Sequence, residues 1–145
     1  MARVLYTAEA NVTGGRVNGH GRTTDGALDV QLRTPKEMGG DGGGTNPEQL
    51  FAVGFAACFE GAIGVVGRRE HLEVDDVSIV SRVSLLPTDE RGFKIAAELD
   101  VTLPHVADAE QAEHIVRAAH EVCPYSNATR GNIDVKLTAN GHVLA

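Results

Sequence analysis

The hydrophobic positions of this chain change period several times, and each change marks an element. Residues 3–17 and 27–33 alternate apolar and polar side chains and predict two strands, with a Gly, Asn and Asp-rich turn region, Gly14 to Gly26, between them. Residues 34–45 carry five glycines and predict a loop too mobile to be ordered without contacts from elsewhere. A helix follows with an explicit start: Asn46 as N-cap, Pro47 at the first helical position, then Glu48 and Gln49 in the first turn. It is predicted to run to about residue 70, and its middle is apolar nearly all round, which implies burial on most faces. Two alternating stretches, Val74 to Leu86 and Phe93 to Leu103, flank the turn Asp89-Glu90-Arg91-Gly92 and predict a hairpin. Asp108 caps a second helix with Ala112, Ile115, Val116, Ala119 and Val122 on one face, stopped by Pro124. Residues 132–139 predict a last strand, and Asn140-Gly141 turns the chain into a short final one. The order is strands, helix, strands, helix, strand: an α+β fold of antiparallel sheets with a long buried central helix and a second helix.

Composition narrows the function classes. The 145 residues fit one domain, residues 1–145, and the 42% apolar and 23% charged shares are those of a globular protein. A net charge of −7 with scattered acids lacks the basic footprint of a nucleic-acid binder and disfavours anionic membrane surfaces. The N-terminus alternates like a strand and has no apolar signal-peptide core; the most apolar window, Leu50 to Val66, is interrupted by Glu60 and reads as a core helix. The expected location is therefore the cytoplasm.

Candidate chemistry centres on the two cysteines, Cys58 in the apolar helix and Cys123 sixty-five residues later, just before Pro124. Two thiols in a chain without export signals point to redox chemistry more than to structural crosslinking. Gly54 and Gly61 lie at i−4 and i+3 from Cys58, on the same face, and glycine costs a helix about 1 kcal/mol relative to alanine. Something must approach the thiol closely, either a partner element or a ligand. Cys123 falls in the last turn of its helix, where the dipole disfavours a thiolate, so the two thiols look unequal: Cys58 the attacker, Cys123 the resolver. For Cys58 to react near neutrality its pKa must fall from about 8.5, and Arg16, Arg22 and Arg130 are the candidate cations.

Other constellations are weaker. A zinc site recruiting Cys58, Cys123, His120 and another histidine has no paired CxxC or HExxH spacing behind it. A Cys–His hydrolase needs one of the six histidines near Cys58. The remaining histidines, His20, His71, His105, His114 and His142, read as surface groups. The GGDGGG stretch lacks the Gly-Lys-Ser/Thr of a phosphate loop. A non-catalytic module binding a lipid-like ligand against the glycine-flanked helix remains the alternative, and it predicts an unreactive Cys58.

Four segments together resemble one family. They are Thr13-Gly14-Gly15-Arg16, Asp25-Gly26-Ala27-Leu28-Asp29-Val30, Thr45 to Phe51 through Ala57-Cys58-Phe59, and Cys123-Pro124-Tyr125-Ser126-Asn127-Ala128-Thr129-Arg130. The pattern spans nearly the whole chain and is similar to the organic hydroperoxide resistance proteins, a subgroup related to the osmotically inducible protein C group. The resemblance implies a thiol peroxidase that reduces organic hydroperoxides to alcohols without metal, flavin or haem. In it Cys58 matches the peroxidatic cysteine, Cys123 the resolving one, Arg16 the arginine that stabilises the thiolate, and Glu48 the carboxylate that holds this arginine. It further implies recycling by a lipoyl-type dithiol and an intertwined homodimer with active sites at the interface. Helix geometry adds to this. Glu48 and Cys58 are ten residues apart, roughly 15 Å along one helix. Two such helices crossing antiparallel near Val53 would bring each Glu48 beside the partner's Cys58.

Overall fold

The structure, a computed structural model, describes residues 2–144. The chain divides into two compact units, residues 1–50 and 51–145.

The first unit is a three-stranded antiparallel sheet in the order β1 (Ala10–Thr13), β2 (Asn18–Thr23), β3 (Asp29–Arg33). The middle strand lies inside the stretch that the sequence predicts as a turn. Asn-Gly-His-Gly-Arg-Thr has little strand propensity, yet its residues pair on both sides, Val12 with Gly21 and Gly21 with Val30. Gly19 serves close approach. A Cβ on Gly19 would sit 1.9 Å from the Gly15 carbonyl oxygen, because the β1–β2 turn folds back over the strand. The predicted strand over residues 3–17 is correspondingly shorter, four residues, and Arg16 sits in the tight turn that follows it.

Residues 34–45 differ from expectation too. They contain a short 3-10 helix, Lys36–Met38, and close on themselves: Gly42 N–H donates to Thr34 O at 3.0 Å, and Thr45 N–H to Gln31 O at 2.8 Å. Thr45 also pairs with Leu32 beside β3, so the loop's own backbone bonds order it.

Helix α1 (Pro47–Glu70) starts as its caps predict, with Gln49 N–H donating to Asn46 Oδ1 at 2.9 Å. In the second unit its Phe55, Phe59, Ala62, Ile63 and Val66 enter the core. That core is shared with Ala97, Leu99 and Val101 of β5 (Phe93–Thr102) and with Ala112, Ile115, Val116 and Ala119 of α2 (Ala109–Val122). The helix is long and apolar enough to cross a membrane by length and composition, but this side of it is packed on sheet and helix. Burial on most faces is not what the single chain shows. Val53 is 72% exposed, and Ala57 and Gly61 are exposed beside it.

β4 (Ser78–Pro87) and β5 form the expected hairpin, in register from Ser78–Thr102 to Pro87–Phe93. β6 (Val135–Ala139) then pairs with β5 in parallel, and β7 (His142–Val143) with β6 antiparallel. The parallel pair follows from connectivity: the chain leaves β5, passes through α2 and α3 (Pro124–Thr129), and returns in the same direction. The α+β class stands, with one parallel pairing among antiparallel ones.

Candidate active site

The predicted site residues fall into two groups, one in each unit. In the first unit Arg16 Nη2 donates to Glu48 Oε1 at 2.6 Å. The β1–β2 turn supplies the arginine, and the first turn of α1 supplies the carboxylate. Glu48 is the better shielded partner, 15% exposed against 36% for Arg16, which strengthens the pair relative to a fully solvated one. The contact runs through a single guanidinium nitrogen rather than as a two-pronged fork. Arg22 is committed elsewhere, its Nε lying 3.6 Å from Asp29 Oδ2, so only Arg16 of this pair faces Glu48.

In the second unit both thiols are free, Cys58 half-buried and Cys123 fully buried. Burial pushes the Cys58 thiol above its ordinary range. The backbone amide of Tyr125 pulls it back, and the thiol of Cys123 raises it further. Cys58 packs against the core cluster that contains Cys123, so the two thiols share one region of the second unit. Within its own unit Cys58 is held as a neutral thiol. Arg130, a third candidate cation, is engaged by its own surroundings: Nη1 donates to Asn127 Oδ1 at 2.9 Å, Nη2 donates to the His120 carbonyl, and Glu121 Oε2 lies 4.0 Å away.

Cys123 differs from the sequence expectation. It does not end a helix and face only the negative end of a dipole. It is the hinge residue between two helices, closing α2 with its own N–H on Ala119 O and opening α3 as its N-cap. Its Sγ accepts a hydrogen bond from Ser126 N–H at 3.4 Å. Pro124 stops α2 as predicted, and it also starts α3 at the first helical position, the dual role that proline's fixed φ allows.

The glycine signal around Cys58 resolves into two causes. Gly54 is where Tyr125 approaches: a Cβ there would lie 2.8 Å from the Tyr125 hydroxyl oxygen. Tyr125 also packs on Phe51 at 5.5 Å and Phe55 at 5.8 Å between ring centroids. Gly61 meets nothing within 4 Å and lies on the exposed side of α1. Phe55 and Phe59 are fully buried in the core; Phe51 and Tyr125 keep accessible surface.

Tyr125 and Ser126 carry no assigned role in the sequence, and His120 enters there only as a weak zinc-ligand candidate. Ser126 is fully buried with its Oγ 2.8 Å from His120 Nδ1. The available signal was the spacing of His120, Cys123 and Ser126, three residues apart each time. Among the described residues no group of three or more His, Cys, Asp or Glu side chains is arranged to hold a metal.

Residues 40–138 match the family described as OsmC-like protein. An organic hydroperoxide resistance protein of Xanthomonas axonopodis pv. citri is 53% identical over 140 residues, covering 94% of this chain and 95% of that one. The crystal structure of an organic hydroperoxide resistance protein from Legionella pneumophila superposes with a TM-score of 0.89 at 53% identity, covering 94% of this chain and 98% of that one. A second, from Vibrio cholerae, has captopril bound in one of its active sites; it superposes with a TM-score of 0.93 at 44% identity, covering 98% and 96%. With relatives this similar over nearly their full lengths, the chain belongs to the OsmC-like family, among its organic hydroperoxide resistance proteins.

Proposed function

We propose that this protein is a cysteine-based peroxidase, a single domain in function, that reduces organic hydroperoxides to alcohols in the cytoplasm. The observation that carries the reading is the pair of free thiols: Cys58 packs against the core cluster that contains Cys123, although the two lie 65 positions apart in sequence. The similarity to organic hydroperoxide resistance proteins supplies the substrate class.

The cycle has three steps. The Cys58 thiolate attacks the distal peroxide oxygen; an S–O bond forms, the O–O bond breaks, and the alkoxide leaves with a proton as an alcohol. Cys58 is now a sulfenic acid, the reversible first rung of thiol oxidation. Cys123 attacks that sulfur, forming the disulfide and releasing water. A lipoyl-type dithiol then reduces the disulfide by exchange.

Arg16 and Glu48 complete the site. Burial leaves Cys58 raised, and a thiol held neutral is a poor nucleophile, so the chemistry needs a cation. Arg16 fills this role: it favours the thiolate and stabilises charge growing on the peroxide oxygens, while Glu48 fixes its direction. No metal or organic cofactor takes part.

The same reading includes a two-fold homodimer built on the exposed side of α1. Val53 stands 72% exposed there, beside a groove of about 380 Å³ lined by Ala56, Ala57, Glu60, Ile79 and Ser81. Ser81 Oγ in this groove is buried without a hydrogen-bond partner, a cost that a second chain would relieve. Each catalytic centre would take its thiols from one chain and its Arg–Glu pair from the other.

Two assays test the proposal. Purified protein with dihydrolipoamide should consume an alkyl hydroperoxide, and Cys58→Ser should abolish this. Mixed dimers of Cys58→Ser and Glu48→Ala subunits should recover activity in part; none recovered would count against sharing.

A further inference from the structure

Cys123, Ser126 and His120 form a connected chain that the catalytic cycle above does not use. Ser126 contributes two groups from one buried residue: its N–H to Cys123 Sγ at 3.4 Å, and its Oγ to His120 Nδ1 at 2.8 Å. His120 lies on α2, one turn before Cys123, and Ser126 lies on α3, so the imidazole–hydroxyl bond ties the two helices together across the Cys123 hinge. Arg130, just beyond α3, makes a second tie by donating to the His120 carbonyl. The α2–α3 junction is thus braced on both sides of the resolving thiol.

We infer that His120, acting through Ser126, is a positioning residue for the resolving step: it holds the Ser126 N–H on Cys123 Sγ. The inference rests on the proposed role of Cys123. In that step the Cys123 thiolate attacks the Cys58 sulfenic sulfur. The S–S bond forms as the S–O bond breaks, Cys58 is reduced and Cys123 oxidised, and the departing hydroxide takes up the proton Cys123 gave off, leaving as water. A backbone N–H aimed at Sγ fixes the direction of the sulfur before attack, and holds it again when an external dithiol reopens the bond.

The surroundings fit this use. Burial, and then the charge of Arg130, hold the His120 imidazole below the usual histidine range, opposed by Glu121. A neutral ring can accept from the Ser126 hydroxyl or donate to it at Nδ1 according to its tautomer, which suits a brace more than a charge carrier. Arg117 and Glu121 on its own helix and the apolar Val135, Leu137 and Leu144 line the cleft beside it.

Single-turnover oxidation with one equivalent of an alkyl hydroperoxide separates the steps, with sulfenic acid and disulfide read by trapping and intact mass. His120→Leu and Ser126→Ala should form the sulfenic acid at the unaltered rate and close the disulfide about tenfold more slowly, the equivalent of one hydrogen bond to a charged group. His120→Asn, whose amide can replace Nδ1, should restore most of the closing rate. Unchanged closure in both variants, equal slowing of both steps, or no rescue by asparagine would overturn the inference while leaving the peroxidase reading intact. Absence of any sulfenic acid in the unaltered protein would overturn that reading, and the inference with it.

Discussion

At the scale of single residues the chain's reactivity is a contest over one proton. Burial holds Cys58 as a thiol, the Tyr125 amide opposes it, and in our reading Arg16 decides the outcome. The sign is simple: the thiolate dominates above the thiol's pKa, so removing the cation moves the whole titration to higher pH. Arg16→Ala should therefore shift the inflection of Cys58 alkylation upward and slow alkylation at pH 7 by about tenfold or more. An unchanged pH profile would remove Arg16 from the site. His120 gives a second titration with a different sign. Its folded pKa lies below the unfolded value, so as pH falls the unfolded chain takes up the proton first. Stability should then decline as pH drops below about 6.5, and His120→Asn should lose that part of the slope in urea titrations. His105, raised by its bond to Asp76, works oppositely but is fully exposed, so the difference between the unaltered protein and His120→Asn isolates the half-buried His120.

Elements record which signals a sequence carries openly. Helix α1 was legible from its first residues because capping is a local code: Asn46, Pro47 and Glu48 each act within one turn. Asn46→Ala should cost about 1 kcal/mol in denaturant unfolding, the worth of that cap. The β4–β5 hairpin and α2 were legible for the same reason, since alternation and 3.6 periodicity report burial directly. β2 was not, because Gly19 serves a neighbour in space, and a glycine written for close approach looks the same as one written for a turn. α3 was hidden by Pro124, which reads as a stop and is also a start. Gly54 sits between these cases. The sequence showed that something comes near Cys58, and only the fold names Tyr125. Gly54→Ala should leave stability within about 1 kcal/mol, since better helix propensity offsets a displaced ring. It should nonetheless slow thiol oxidation, because Tyr125 carries the amide that acts on Cys58.

Over the whole molecule, the site was legible as residues but not as an arrangement. Cys58, Cys123, Arg16 and Glu48 are candidates one by one in the sequence; the structure pairs Arg16 with Glu48 and packs Cys58 against the cluster that holds Cys123. The brace behind Cys123 was illegible because His120, Ser126 and Arg130 act through a hinge that no local periodicity announces. The exposed apolar side of α1 is where the proposed dimer would form. Val53→Glu should leave the fold intact, since the side chain is 72% exposed, and should convert a dimer to monomers in sedimentation velocity. A dimer that persists in this variant would place the interface elsewhere.

The central claim is that Cys58 and Cys123 pass from thiols to disulfide at the expense of an organic hydroperoxide. Thiol titration and intact mass of the reduced protein, before and after one equivalent of an alkyl hydroperoxide, test it most directly. The account predicts loss of both thiols and of about two mass units, with Cys123→Ser stopping at a sulfenic acid about sixteen units heavier. Unchanged thiols and unchanged mass would contradict it.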